Sequence, residues 1–145
     1  MFDNRRVIAT REIGALSEMA VTTSPLAIGD VLLLEDDALI SLDTEDMLLA
    51  LGAARVHVAH SLYEAEFIVS QRKLDAAVLD LVIGPERSEA LARRLVARST
   101  PVIFASGHDD AGEITAGLEG VPTVRKPYSE QALLAALATA LSGRR

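Results

Sequence analysis

The sequence predicts an α/β domain, a doubly wound parallel sheet of five strands with helices on both faces, and three observations carry that prediction. Short strand-like runs alternate with stretches whose apolar residues recur at helical spacing, a (βα)5 order whose crossovers are right-handed and whose sheet is parallel. The strongest runs, Val31-Leu32-Leu33-Leu34, Ala76-Ala77-Val78-Leu79 and Val102-Ile103-Phe104-Ala105, are apolar at successive positions, as strands covered on both faces are. Each runs into polar residues at its carboxyl end, where open α/β sheets keep their chemistry.

Residues 1–29 precede this alternation. Thr10 is placed to cap a short helix carrying Ile13, Leu16 and Ala20, broken by Thr22-Thr23-Ser24-Pro25; the segment reads as a flexible N-terminal extension, and the domain proper is expected over residues 30–145. After the first strand, a helix from Ala38 to Leu51 carries Ile40, Met47, Leu48 and Leu51 on one stripe and ends at Gly52. The second strand, Arg55 to Ala59, leads to Ser61-Leu62-Tyr63-Glu64, a capping box, and to a helix burying Leu62, Ala65, Ile68 and Val69. The third strand ends at Asp80 and is closed by Gly84-Pro85. A third helix is expected from Ser88 to Arg98, with Leu91 and Leu95 inward. Pro101 opens the fourth strand, where a missing N–H does little harm. Gly112, Gly117 and Gly120 follow, and each would cost a helix about 1 kcal/mol relative to alanine, so helix four should be short or disordered. A fifth strand, Val121 to Val124, reaches Lys126-Pro127. Ser129 then caps a last helix in which Leu133, Leu134, Leu137 and Leu141 recur before Gly143.

Composition narrows the function. Half of the chain is apolar, yet it holds only three Phe, two Tyr and no Trp, so the core must be aliphatic, as in helices packed on a parallel sheet. A formal charge of −7 repels a phosphate backbone and excludes nucleic acid as a partner of this chain alone. The absence of cysteine rules out disulfides and thiolate metal sites. No apolar run approaches the ~20 residues of a membrane span, and the N-terminus lacks a signal-peptide core; a cytoplasmic protein without membrane contact is expected.

The strand ends carry the chemistry. Glu35, Asp36 and Asp80 would repel one another in one site unless a cation shared it. With oxygen ligands only, that cation should be hard, Mg²⁺ rather than Zn²⁺. A carboxylate beside Mg²⁺ can attack phosphorus, while Ser106 and Lys126 take up phosphoryl oxygens. Asp37 reads as a helix cap, Met47 as core, and His57, His60 and His108 as ordinary surface or strand residues.

At Val31-Leu32-Leu33-Leu34-Glu35-Asp36-Asp37, Val78-Leu79-Asp80, Pro101 to Ser106 and Lys126-Pro127, the chain resembles the receiver domain of two-component response regulators. The resemblance implies the flavodoxin-like strand order 2-1-3-4-5 and a cis peptide at Lys126-Pro127. It further implies that Asp80 is the phosphoacceptor for a sensor histidine kinase. Glu35, Asp36, Asp80 and the Val82 carbonyl would be the metal ligands, with Ser106 and Lys126 as the switch pair. Thr123 stands where many receivers carry a switching aromatic. Phe104-Ala105-Ser106-Gly107 is similar to the signature of the single-domain FATGUY subgroup, which pairs with HWE-type kinases, although Ser replaces its threonine. The implied protein is a stand-alone regulator in a phosphorelay, a phosphoprotein and not an enzyme, monomeric or weakly dimeric. It would act through phosphorylation-dependent contacts with a downstream protein, or as a phosphate sink.

Other classes fit less well. A phosphatase of the haloacid dehalogenase type wants a second Asp two residues after the first as general acid, and Val82 holds that place. A flavodoxin-like cofactor site wants a glycine-rich turn where Glu35-Asp36-Asp37 would repel phosphate. A receiver-like interaction domain working without phosphorylation is the remaining alternative.

Overall fold

The computed structural model describes residues 25–107 and 117–143. In order, the elements are β1 (Ile28–Leu34), α1 (Ala38–Leu51), β2 (Ala53–Ala59), α2 (Leu62–Gln71), β3 (Ala76–Asp80), β4 (Val82–Ile83), β5 (Glu86–Arg87), α3 (Glu89–Ala97), β6 (Val102–Ser106), β7 (Thr123–Arg125) and α4 (Glu130–Ser142). The main sheet is parallel, in the order β2-β1-β3-β6-β7. Leaving aside the short β4–β5 hairpin, this is the flavodoxin-like order 2-1-3-4-5. The proposed N-terminal helix and the fourth helix fall on residues 1–24 and 108–116, outside the described residues.

Alternation along the strands sorts the core into two layers. Leu32, Leu34, Ala77, Leu79 and Phe104 pack under α2 and α3 through Ala65, Val69, Leu91 and Leu95. Val31, Leu33, Val78, Ile103 and Val124 pack under α1 and α4 through Leu48, Leu51, Leu133 and Leu137. The buried face of α1 is rotated from the expected stripe: Ser41 and Thr44 are buried with Leu48 and Leu51, Ile40 and Met47 are half-buried, and Leu39 and Leu42 are exposed. Both hydroxyls are satisfied there: Ser41 Oγ donates to the Ala38 carbonyl, and Thr44 Oγ1 meets the Tyr128 hydroxyl. The capping box of α2 is also displaced by one residue. Ser61 Oγ accepts from the Glu64 N–H, but the Glu64 carboxylate accepts from the His60 N–H.

β1 opens at Ile28, three residues before the apolar run, because its edge is held by polar bonds. The Ile28 N–H donates to the Gly52 carbonyl, and the Asp30 N–H donates to Asp75 Oδ2 at 2.8 Å. The Asp75 carboxylate crosses directly over Gly29, where a Cβ would lie 2.3 Å from Oδ2. Asp30 in turn binds Arg55 Nε and His57 Nε2, each at 2.8 Å. Those bonds, Arg55 foremost, hold its carboxyl down at about 2.

Two outcomes follow from this edge. Gly29→Ala must push Asp75 off the Asp30 N–H and should cost about 1 kcal/mol in urea unfolding. The folded-state pKa of Asp30 lies below the ordinary aspartate value of 3.8, so its contribution is complete above that value and is lost as pH falls through about 2. The difference in urea midpoint between wild type and Asp30→Asn should therefore shrink on acidification from pH ~5 to pH ~2.5; a constant difference would contradict the pairing.

Candidate functional site: an acidic cluster at the carboxyl rim

The two-residue period of a strand decides which side chains meet. Glu35 lies two residues after Leu33, Asp80 two after Val78 and Lys126 two after Val124, and all three apolar residues line the α1/α4 face. Register brings their ends together: Leu34 pairs with Leu79, so Glu35 and Asp80 emerge side by side, and Asp80 pairs with Ala105, which pairs with Val124. Lys126 Nζ donates to Glu35 Oε1 and to Asp80 Oδ2, both at 2.9 Å. One oxygen each from Glu35, Asp36 and Asp80 lie within 4.8 Å of one another.

Glu35 and Asp80 are buried and Asp36 is exposed, so the cluster opens to solvent on one side. Glu35 is further fixed by the Asp37 N–H on Oε2 and by His60 Nδ1 on its carbonyl. That gives His60 a role that reading it as an ordinary residue missed. Asp37 does cap α1, accepting from the N–H groups of Leu39 and Ile40. Ser106 is buried at the end of β6, next to Ala105, and among the described residues its Oγ is the buried side-chain polar atom without a partner. The Lys126-Pro127 peptide is cis. Beyond it, the Tyr128 hydroxyl meets Thr44 Oγ1 at 2.7 Å, tying this loop to α1. Thr123 is exposed at the start of β7.

Electrostatics show why the cluster fits a cation. Burial drives the Asp80 carboxyl up to about 7, with Glu35 adding to the rise and the Lys126 bond opposing it. For Lys126, burial favours the neutral amine, but its bonds to Asp80 and Glu35 outweigh this and its pKa is raised. One ammonium balances one carboxylate, and a second buried carboxylate and Asp36 remain beside it. An all-oxygen donor set with surplus negative charge, open on one side, suits a hard divalent ion. Glu35, Asp36, Asp80 and Lys126 are thus brought together as the sequence predicts, Ser106 stands at the same rim, and Val82 begins the β4–β5 hairpin. Sequence reading missed that hairpin and the Ser88 hydroxyl, which donates to the Asp80 carbonyl at 2.7 Å. A serine just before a helix reads as an N-cap, and nothing local distinguishes it from one.

No family model matches the chain, and no curated protein gives a significant match. Solved structures do. The chain is similar to the response regulator receiver protein from Sinorhizobium medicae WSM419, at 27% identity over 82% of this chain and 98% of that one, with a TM-score of 0.71. It is similar to SdrG from Sphingomonas melonis Fr1, at 29% identity over 80% of this chain and 98% of that one, with a TM-score of 0.67. To the PhyR stress response regulator it shows 26% identity over 80% of this chain and 45% of that one, with a TM-score of 0.68. Strand order, the clustered acids and likenesses spanning nearly the whole of two such proteins give this chain the fold and the acidic rim of a response regulator receiver domain. Among the described residues no helix is long and apolar enough to cross a membrane.

The Asp80 carboxyl gives a direct check. With a folded pKa of about 7 against the ordinary aspartate value of 3.8, its contribution to stability is complete below the lower value and is lost as pH rises through the higher one. In metal-free protein its ¹³C carboxyl shift should titrate near neutrality. In Lys126→Met, without the opposing ammonium, the midpoint should move higher; a lower or unmoved midpoint would contradict the arrangement.

Proposed function

We propose that the chain works as a receiver that takes a phosphoryl group onto Asp80 from a phosphohistidine of a sensor kinase. The single observation that carries the proposal is the placement of Asp80, buried, bonded to Lys126 and within reach of Glu35 and Asp36 at the open rim. An Asp80 oxygen attacks phosphorus, the P–O bond forms as the P–N bond to the donor imidazole breaks, and the imidazole leaves. Mg²⁺, held by Glu35, Asp36, Asp80 and the Val82 carbonyl, would supply the positive charge that lets an anionic group approach. Lys126 keeps its ammonium charge throughout and moves with the phosphoryl oxygens. The Ser106 hydroxyl, without a partner in this state, takes up another oxygen.

Residues 30–145 form the receiver in this reading, with 1–29 as its extension. The Phe104-Ala105-Ser106-Gly107 run supports placement in the FATGUY subgroup and pairing with an HWE-type kinase. The output is then a phosphorylation-dependent protein contact or the draining of phosphoryl groups from a kinase.

Incubation with acetyl phosphate and Mg²⁺, followed by intact-mass analysis, should add one phosphoryl group to the wild type. Asp80→Asn, or wild type with excess EDTA, should gain none. Labelling that survives Asp80→Asn would contradict the assignment, and a panel of sensor kinases then identifies the donor.

A further inference from the structure

The main chain beyond Asp80 is set by a residue that takes no part in the acceptor chemistry. Pairing of β3 with β1 stops at Leu34 and Leu79, so the Asp80 carbonyl lies one residue past that ladder. Its partner is the Ser88 hydroxyl at 2.7 Å, while the Ser88 N–H donates to the Leu81 carbonyl at 3.0 Å. Ser88 is 0% exposed, so water has no access to replace it. Nor does its side chain cap α3, for it makes no bond to that helix.

Between Asp80 and Ser88 the chain folds as the β4–β5 hairpin, in which Val82 pairs with Arg87 and Ile83 with Glu86 around Gly84-Pro85. Gly84 sits at φ 56, a left-handed conformation that a Cβ disfavours. The two Ser88 bonds therefore close the base of the hairpin against the end of β3.

We propose that Ser88 is a positioning residue of the metal site: its hydroxyl holds the backbone from Asp80 to Val82 in register with Glu35 and Asp36 at the end of β1. This rests on the reading of Asp80 and Val82 as metal ligands. Without the hydroxyl, the Asp80 carbonyl is left buried without this donor, and the hairpin shifts relative to the two acids just past β1. Removing a group that orients a ligand in this way weakens metal affinity by roughly tenfold or more.

The test is a Mg²⁺ titration of the unphosphorylated full chain, followed by ¹H–¹⁵N shifts around Asp80 and Val82, with thermal melting of the same samples. Ser88→Ala should bind Mg²⁺ about tenfold more weakly than wild type. Gly84→Ala adds a Cβ into open space at the exposed turn and should weaken binding in the same direction. It decides the matter if Ser88→Ala does not fold. A lowered melting temperature with Mg²⁺ affinity within about twofold of wild type would mean a structural role alone and would overturn the inference. Wild-type protein that binds no Mg²⁺ would instead overturn the ligand assignment on which it rests.

Discussion

One ammonium group holds two buried carboxylates together at the carboxyl rim of the sheet. Glu35 and Asp80 end adjacent parallel strands, and register forces their side chains to the same face. Burying like charges there is tolerable only with a cation between them, and Lys126 reaches both at 2.9 Å. Its balance is incomplete, since one positive charge faces two buried acids and Asp36 stands at the open side. The surplus shows in the Asp80 carboxyl, pushed up to about 7 by burial and by Glu35. In the proposed function a divalent cation would offset that surplus and let a phosphoryl group approach.

The cluster is a property of the sheet rather than of any loop. Its members come from the ends of β1, β3 and β7, with Ser106 ending β6 between them. Shifting one strand by one residue would turn its contribution to the other face. Ser106 carries a different kind of information. A buried hydroxyl with no partner costs about 1–3 kcal/mol, a penalty that makes sense where a second state supplies the missing acceptor. Phosphoryl oxygens on Asp80 would be such an acceptor, and Lys126, already bonded to Asp80, is positioned to follow them. The Tyr128 hydroxyl on Thr44 links this loop to α1, whose Leu39 and Leu42 face solvent.

Much of this was legible in the chain itself. Continuous apolar runs ending in Glu35-Asp36, Asp80 and Ser106 mark strands whose carboxyl ends share a rim, because a parallel sheet places all such ends together. The helix from Ala38 to Leu51 and the caps Asp37, Ser61 and Ser129 were equally readable, being local. What escaped depends on partners distant in sequence. Ile28 joins β1 through Gly52, and Asp30 through Asp75, neither of which hydropathy reveals. The buried side of α1 turns on Ser41 and Thr44, which an apolar-stripe criterion passes over. His60 and Ser88 each bond a backbone carbonyl of an acidic site residue, and a backbone acceptor leaves no trace in residue type.

The most direct measurement is a crystal structure of the chain with Mg²⁺ and beryllofluoride. The beryllium should be bonded to an Asp80 oxygen, with fluorines on Lys126 Nζ and Ser106 Oγ and the metal against Glu35, Asp36 and the Val82 carbonyl. Beryllofluoride on another carboxylate, or Asp80 still bonded only to Lys126 with Ser106 Oγ unpartnered, would contradict it.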